Sequence, residues 1–190
     1  EVMTRLRYAS LSGTMVATFC DEDMVLYLSM HGAKHLWRRL EWIISLAELI
    51  RASNSIDWND VVQRAEFAHA TRMLALGLRL VEIFSDVPLP AQVLRKIDNE
   101  CAMQLLATKI KAQMFTVARP IESTETNLYN FKIMDRKRDA IVSALRAFFI
   151  PTFPDWRAFA LPARLHPLYY AFRPLRLSKT YLWYFLGRTR

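Results

Sequence analysis

A mainly α-helical bundle, with a short N-terminal β-hairpin and a proline-interrupted, basic and aromatic C-terminal tail, is the fold this sequence predicts. Three observations carry that expectation. Apolar residues recur at three-to-four spacing over several stretches long enough to share a core, strand-like alternation is confined to residues 1–20, and prolines recur every few residues after Ile150. With 190 residues, 53% of them hydrophobic and 23% charged, the composition is that of a globular chain rather than a disordered one. The expected organisation is a hairpin over 1–20, a bundle over 21–150, and a tail over 151–190 packed on the bundle or extending from it.

The elements follow in order. Residues 5–19 read as two short strands around a Ser12-Gly13 turn. Asp21 is a good helix N-cap, and Glu22 and Asp23 suit the positive end of a helix that is apolar nearly all round from Met24 to Met30, the mark of a buried element. A second helix carries Leu40, Ile43, Ile44, Ala47 and Ile50 as an amphipathic stripe. Asp57-Trp58-Asn59-Asp60 opens a third, which ends or bends near His69-Ala70-Thr71. Met73 to Phe84 forms the next, and the run from Asp86 to Pro90 stops it because proline cannot continue the hydrogen-bond ladder. Further helices are expected through Met103, Leu106, Ile110, Met114 and Val117, and then through Leu128, Phe131, Met134, Ile141, Leu145 and Phe148, with the charge run from Asp135 to Asp139 as a solvated face. Pro151, Pro154, Pro162, Pro167 and Pro174 are expected to cut the tail into short segments. No window holds about 20 uninterrupted apolar residues, so no transmembrane helix is expected.

Composition also excludes chemistries. Four glycines cannot supply a Gly-rich phosphate loop, and Cys20 and Cys101 can form neither a disulfide scaffold nor a four-thiolate zinc site. Free thiols suit a reducing cytoplasm. The net charge of +8 belongs to one end: from Trp156 onward there are seven basic residues, Arg157, Arg164, Arg173, Arg176, Lys179, Arg188 and Arg190, and no acidic ones, which leaves 1–155 nearly balanced. Nine aromatics interleave with them: Trp156, Phe159, Tyr169, Tyr170, Phe172, Tyr181, Trp183, Tyr184 and Phe185. Such a tail fits packing on the bundle, an anionic membrane surface or, ranked behind these, single-stranded nucleic acid.

The sharpest polar cluster is His31-Gly-Ala-Lys34-His35-Leu-Trp-Arg38. On a continuous helix His31, Lys34, His35 and Arg38 share one face, and four such groups repel unless an anion neutralises them. One reading is a phosphate or nucleotide contact, with Lys34 and Arg38 as charge and the histidines as donors. The other is a partly buried histidine pair hydrogen-bonded to backbone or carboxylate, with Lys34 and Arg38 reaching to water. A zinc site through His-x-x-x-His lacks a third ligand, and Gly32 stands where a metalloprotease needs Glu. Asp21-Glu22-Asp23 resembles the Asp-x-Asp pair of nucleotidyl transfer, but the residues after it read as helix and no Gly-Ser turn precedes it. No catalytic residue and no metal ligand is assigned.

The run from Leu26 to Trp42, with Ala47-Glu-Leu-Ile50 and Asp57-Trp58, resembles the C-terminal part of an uncharacterised bacterial nucleotidyltransferase-like family of the DNA polymerase β-like superfamily. Pro151-Thr152, Asp155-Trp156-Arg157, Leu161-Pro162 and the stretch from Leu168 to Leu177 resemble the end of the same family. The resemblance implies Mg²⁺-dependent transfer of a nucleotidyl group from a nucleoside triphosphate. It also implies an α/β catalytic domain, bearing the Gly-Ser turn and Asp-x-Asp strand, upstream of Glu1, of which the 1–20 hairpin is a remnant. Ser45 departs from the pattern, which places Asp there. The leading expectation is thus the helical C-terminal portion of a nucleotidyltransferase-like protein, inactive as this chain alone. In it His31, Lys34, His35 and Arg38 bind phosphate or nucleotide, in the cytoplasm or peripherally at the inner membrane. The alternative is a non-catalytic module that docks on an anionic membrane surface or a partner through 156–190.

Overall fold

The computed structural model describes residues 2–53, 55–98, 101–116, 123–158 and 160–187. The chain is mainly helical with a two-stranded antiparallel hairpin, and it divides into two compact units, Glu1–Lys137 and Arg138–Arg190.

In the first unit, β1 (Arg7–Leu11) pairs with β2 (Thr14–Thr18) across Ser12 and Gly13, both at positive φ as a two-residue hairpin turn requires. Both faces of the hairpin are exposed, and its root is held by Arg5 on Asp23 and by Arg7 on Asp21. That pairing explains why Asp21 is not the N-cap. Cys20 takes the position, without a side-chain cap, and Asp21 lies inside α1 (Asp21–Lys34) with its carboxylate turned to Arg7. Contrary to the all-round burial expected, α1 buries one face only, through Val25, Leu26, Ser29, Gly32 and Ala33, while Tyr27 and Met30 are exposed.

The stripe of α2 (Leu40–Ala52) buries Ile43, Leu46, Ala47 and Ile50 and leaves Leu40 and Ile44 outside. The cap of α3 (Trp58–Phe67) is as the sequence suggests: Asp57 Oδ1 accepts the N–H groups of Asn59 and Asp60 at 2.9 and 3.1 Å. The central element is α4 (Thr71–Phe84), with every residue from Leu74 to Val81 buried against α1, α2, α3 and α6 (Cys101–Met114). Between α4 and α6 runs a short α5 (Ala91–Asp98), opened by Pro90 and absent from the sequence-based expectation. Val117, expected to extend α6, lies outside the described residues.

The charge run after α7 (Ser123–Ile133) is more than a solvated face. The Asp135 carboxylate accepts the N–H groups of Thr71 and Arg72 at 2.7 and 2.8 Å, capping α4 from a distant part of the chain because the N-cap residue itself, Ala70, has no side-chain acceptor. The helix expected through Leu128 and Phe148 is therefore interrupted at residues 134–136, and a separate α8 (Lys137–Phe149) begins beyond it.

In the second unit, α9 (Phe153–Ala158) starts with Asp155 reaching back to Thr152, whose N–H and Oγ1 both donate to Asp155 Oδ2 at 2.7 and 2.8 Å. A 3₁₀ turn over Ala163–Leu168 leads into α10 (Tyr169–Gly187), whose 19 residues include Pro174. The tail is thus not cut into short pieces throughout. Arg173 and Arg176, on either side of the proline, both grip Asp155 and hold the helix across the missing hydrogen bond. Burial pushes the Asp155 carboxyl up, but Thr152 and the two guanidinium groups outweigh it and hold it well below the usual carboxylate range. Phe159, Arg188 and Arg190 lie outside the described residues, as do the side chains of Lys179, Tyr181, Trp183, Tyr184 and Phe185.

Candidate functional site

The polar cluster of the sequence sits where α1 ends. Leu36 N–H donates to Ala33 O at 3.0 Å and Trp37 N–H to Gly32 O at 2.8 Å, the paired bonds of a Schellman motif with His35 as C-cap. Leu36 and Trp37 both lie at positive φ, 59° and 50°, a conformation that costs non-glycine residues roughly 1 kcal/mol each. Burial of Trp37 offsets that cost: the indole is fully enclosed and pressed against the backbone of Gly32, where an added Cβ would lie 2.4–2.5 Å from three ring atoms. Gly77 of α4 closes the other side, its own Cβ position 3.1 Å from Trp37 Cζ2.

This turn decides which residues meet. His31, Lys34 and His35 stay together on the last turn of α1, whereas Arg38, expected on the same face, lies past the turn because the helix stops at Lys34. The reversal lays α2 against α1 and brings Trp42 to the histidines. The rings of His31 and His35 are 4.7 Å apart, and each lies 5.4 Å from Trp42. Tyr27 continues the row 5.9 Å below His31, and Arg39 lies over the Trp42 ring at 5.9 Å while paired with Glu41. Among the described residues, neither imidazole makes a hydrogen bond to protein, and Lys34 and Arg38 make no ion pair. His31 is half-buried, and His35, Lys34 and Arg38 are exposed. The result is an open ledge of rings beside Lys34, with Arg39 over Trp42.

Trp42 and Tyr27 carry the ledge as much as the histidines do; helical spacing puts Tyr27 on the same side as His31, but nothing in the spacing brings Trp42 there. The usable signal was the apolar pair Leu36-Trp37 inside a basic run. An apolar residue two places past a helix end commonly packs back on the last turn, and here it does so without glycine.

The first turn of α1 has a different character. Asp23 receives Arg5 at 3.1 Å and Arg64 at 2.7 Å, and Arg64 also holds Asp60 and donates to Cys20 Sγ at 3.2 Å. Burial pushes the Asp23 carboxyl up, but the hydrogen bonds from Arg5 and Arg64 prevail and keep it below its ordinary value. Glu22 accepts the Asp57 N–H at 3.1 Å. These carboxylates are saturated by guanidinium and backbone donors, and no group of three His, Cys, Asp or Glu side chains among the described residues is arranged to hold a metal.

Residues 1–86 match the model of a family described as uncharacterised nucleotidyltransferase. The matched stretch runs from the hairpin to the end of α4 and contains the whole ledge, whereas the resemblance seen in 151–177 lies beyond it. Neither the curated proteins nor the solved structures gave a match to this chain. Among the described residues no helix is long and apolar enough to cross a membrane.

Proposed function

We propose that the ledge is the nucleotide-contacting surface of a nucleotidyltransferase-like protein, to which this chain contributes binding groups rather than catalytic carboxylates. The observation that carries the reading is the grouping of the His31, His35 and Trp42 rings, with no protein hydrogen bonds to the imidazoles among the described residues, beside the exposed cation Lys34 and with Arg39 over Trp42. Phosphate oxygens need cationic N–H donors and a base needs a ring or edge to lie against. The ledge offers both, and it falls inside the stretch that matches the family.

The role assigned to Lys34 and the imidazole N–H groups is electrostatic: they hold the charge of a phosphate chain and orient it. No step is assigned to a metal. Calorimetric titration of the 190-residue chain with ATP tests the reading. Lys34→Ala is expected to weaken binding about 5- to 10-fold, the effect of one charge-assisted contact on a surface open to solvent. Since the cations, not a metal, meet the phosphates, ATP in EDTA should bind at least as tightly as ATP with Mg²⁺. Unchanged affinity in Lys34→Ala, or binding that vanishes in EDTA, removes the proposed role.

A further inference from the structure

The second unit presents a surface that the nucleotide reading does not use. In α8 the residues Ile141, Val142, Leu145 and Phe149 recur at helical spacing along one arc, and they are 53%, 38%, 52% and 45% exposed. On the other side of the helix Ala140 is buried, and the Ala147 carbonyl accepts Arg173 Nε at 2.9 Å, while the Ala144 and Ala147 side chains are exposed. A helix ordinarily buries its large apolar side chains, and α8 leaves four of them exposed on one arc. Just beyond it, Phe153 and Trp156 are exposed too.

The charges around this apolar arc are mostly of one sign. Lys137, Arg138 and Arg146 are exposed on α8, with Arg157 on α9 and Arg164 in the following turn. Among the described residues from 138 onward the acids are Asp139 and Asp155, and Asp155 is fully engaged by Arg173 and Arg176. A second copy of the chain docking here would set Arg138 and Arg146 against their own counterparts. A nucleic acid would satisfy the cations and could stack on Phe149, Phe153 and Trp156, but it offers Ile141, Val142 and Leu145 no apolar phase to enter. An anionic lipid surface satisfies both features at once, taking the aliphatic and aromatic side chains at acyl depth while the flanking Lys and Arg stems reach up to the headgroups.

We infer that α8 and the start of α9 form an in-plane docking surface for an anionic lipid bilayer. Each exposed cation raises partitioning about fivefold, and the apolar arc sets the depth of insertion. The inference is independent of the nucleotide reading. The test is co-sedimentation of the full chain with vesicles rich in phosphatidylglycerol and with vesicles of phosphatidylcholine alone, at low and high salt. Binding should be strong on the anionic vesicles at low salt and weak in the other conditions. Ile141→Ser with Leu145→Ser should lower it about tenfold and Arg146→Gln about fivefold. All three side chains are exposed, so circular dichroism should be unchanged in both variants. The inference is overturned by absence of vesicle binding, by equal binding to both vesicle types, or by variants that bind like the parent. It is equally overturned if Ile141→Ser with Leu145→Ser abolishes self-association in sedimentation velocity while leaving vesicle binding intact, which would assign the arc to a second copy.

Discussion

The substitution that tests the architecture of the ledge most sharply is Gly32→Ala. In an exposed helix this change stabilises by about 1 kcal/mol, because alanine loses less backbone entropy. At Gly32 the new methyl would stand 2.4–2.5 Å from Cζ3, Cε3 and Cη2 of Trp37, a ring that is fully buried and backed by Gly77 of α4. The indole cannot retreat without opening the α1–α4 contact, so the overpacking cost belongs at the upper end of its usual range, about 3 kcal/mol. The net expectation is a loss of about 2 kcal/mol, or roughly 6–8 °C in Tm for a unit of this size. Thermal unfolding followed by circular dichroism and calorimetry measures it. A double-mutant cycle with Trp37→Phe isolates the cause: shrinking the ring should cost clearly less in the Gly32→Ala background than in the parent. A Gly32→Ala protein that melts higher than the parent refutes the close packing of Trp37 on α1, and with it the reason given for the turn that gathers the histidines and Trp42.

Other predictions concern the two carboxylates that hold distant segments together. Asp135→Ala removes the acceptor for two N–H groups at the start of α4 and should cost about 1–2 kcal/mol, with the Thr71 and Arg72 amides exchanging faster in hydrogen-exchange measurements. Asp155→Asn leaves the buried Arg173 without its counter-charge and should destabilise the second unit by about 3–5 kcal/mol in urea titration. Because the folded-state pKa of Asp155 is depressed, its contribution is fully present above about pH 4 and is lost as pH falls through the folded value. The parent's urea midpoint should therefore fall in acid more steeply than that of Asp155→Asn. Parallel pH profiles would contradict that assignment.

What could be read from the chain alone was whatever neighbouring residues decide among themselves. The hairpin follows from strand alternation around Ser12-Gly13, α2 from its apolar stripe, and the start of α3 from the Asp57 carboxylate over its own next two amides. His31, Lys34 and His35 share a face because helical spacing makes them do so. Four features needed the folded molecule. Arg38 leaves that face because burying Trp37 between Gly32 and Gly77, residues from two different helices, outweighs the strain of two left-handed residues. Trp42 reaches the imidazoles only through the reversal this burial permits. Asp135 caps α4, and Arg173 and Arg176 bracket Pro174 on Asp155, through bonds whose partners lie far apart in the chain. Spacing along a sequence encodes angles about one helix, whereas these contacts depend on the distance between helices, which side-chain packing alone sets.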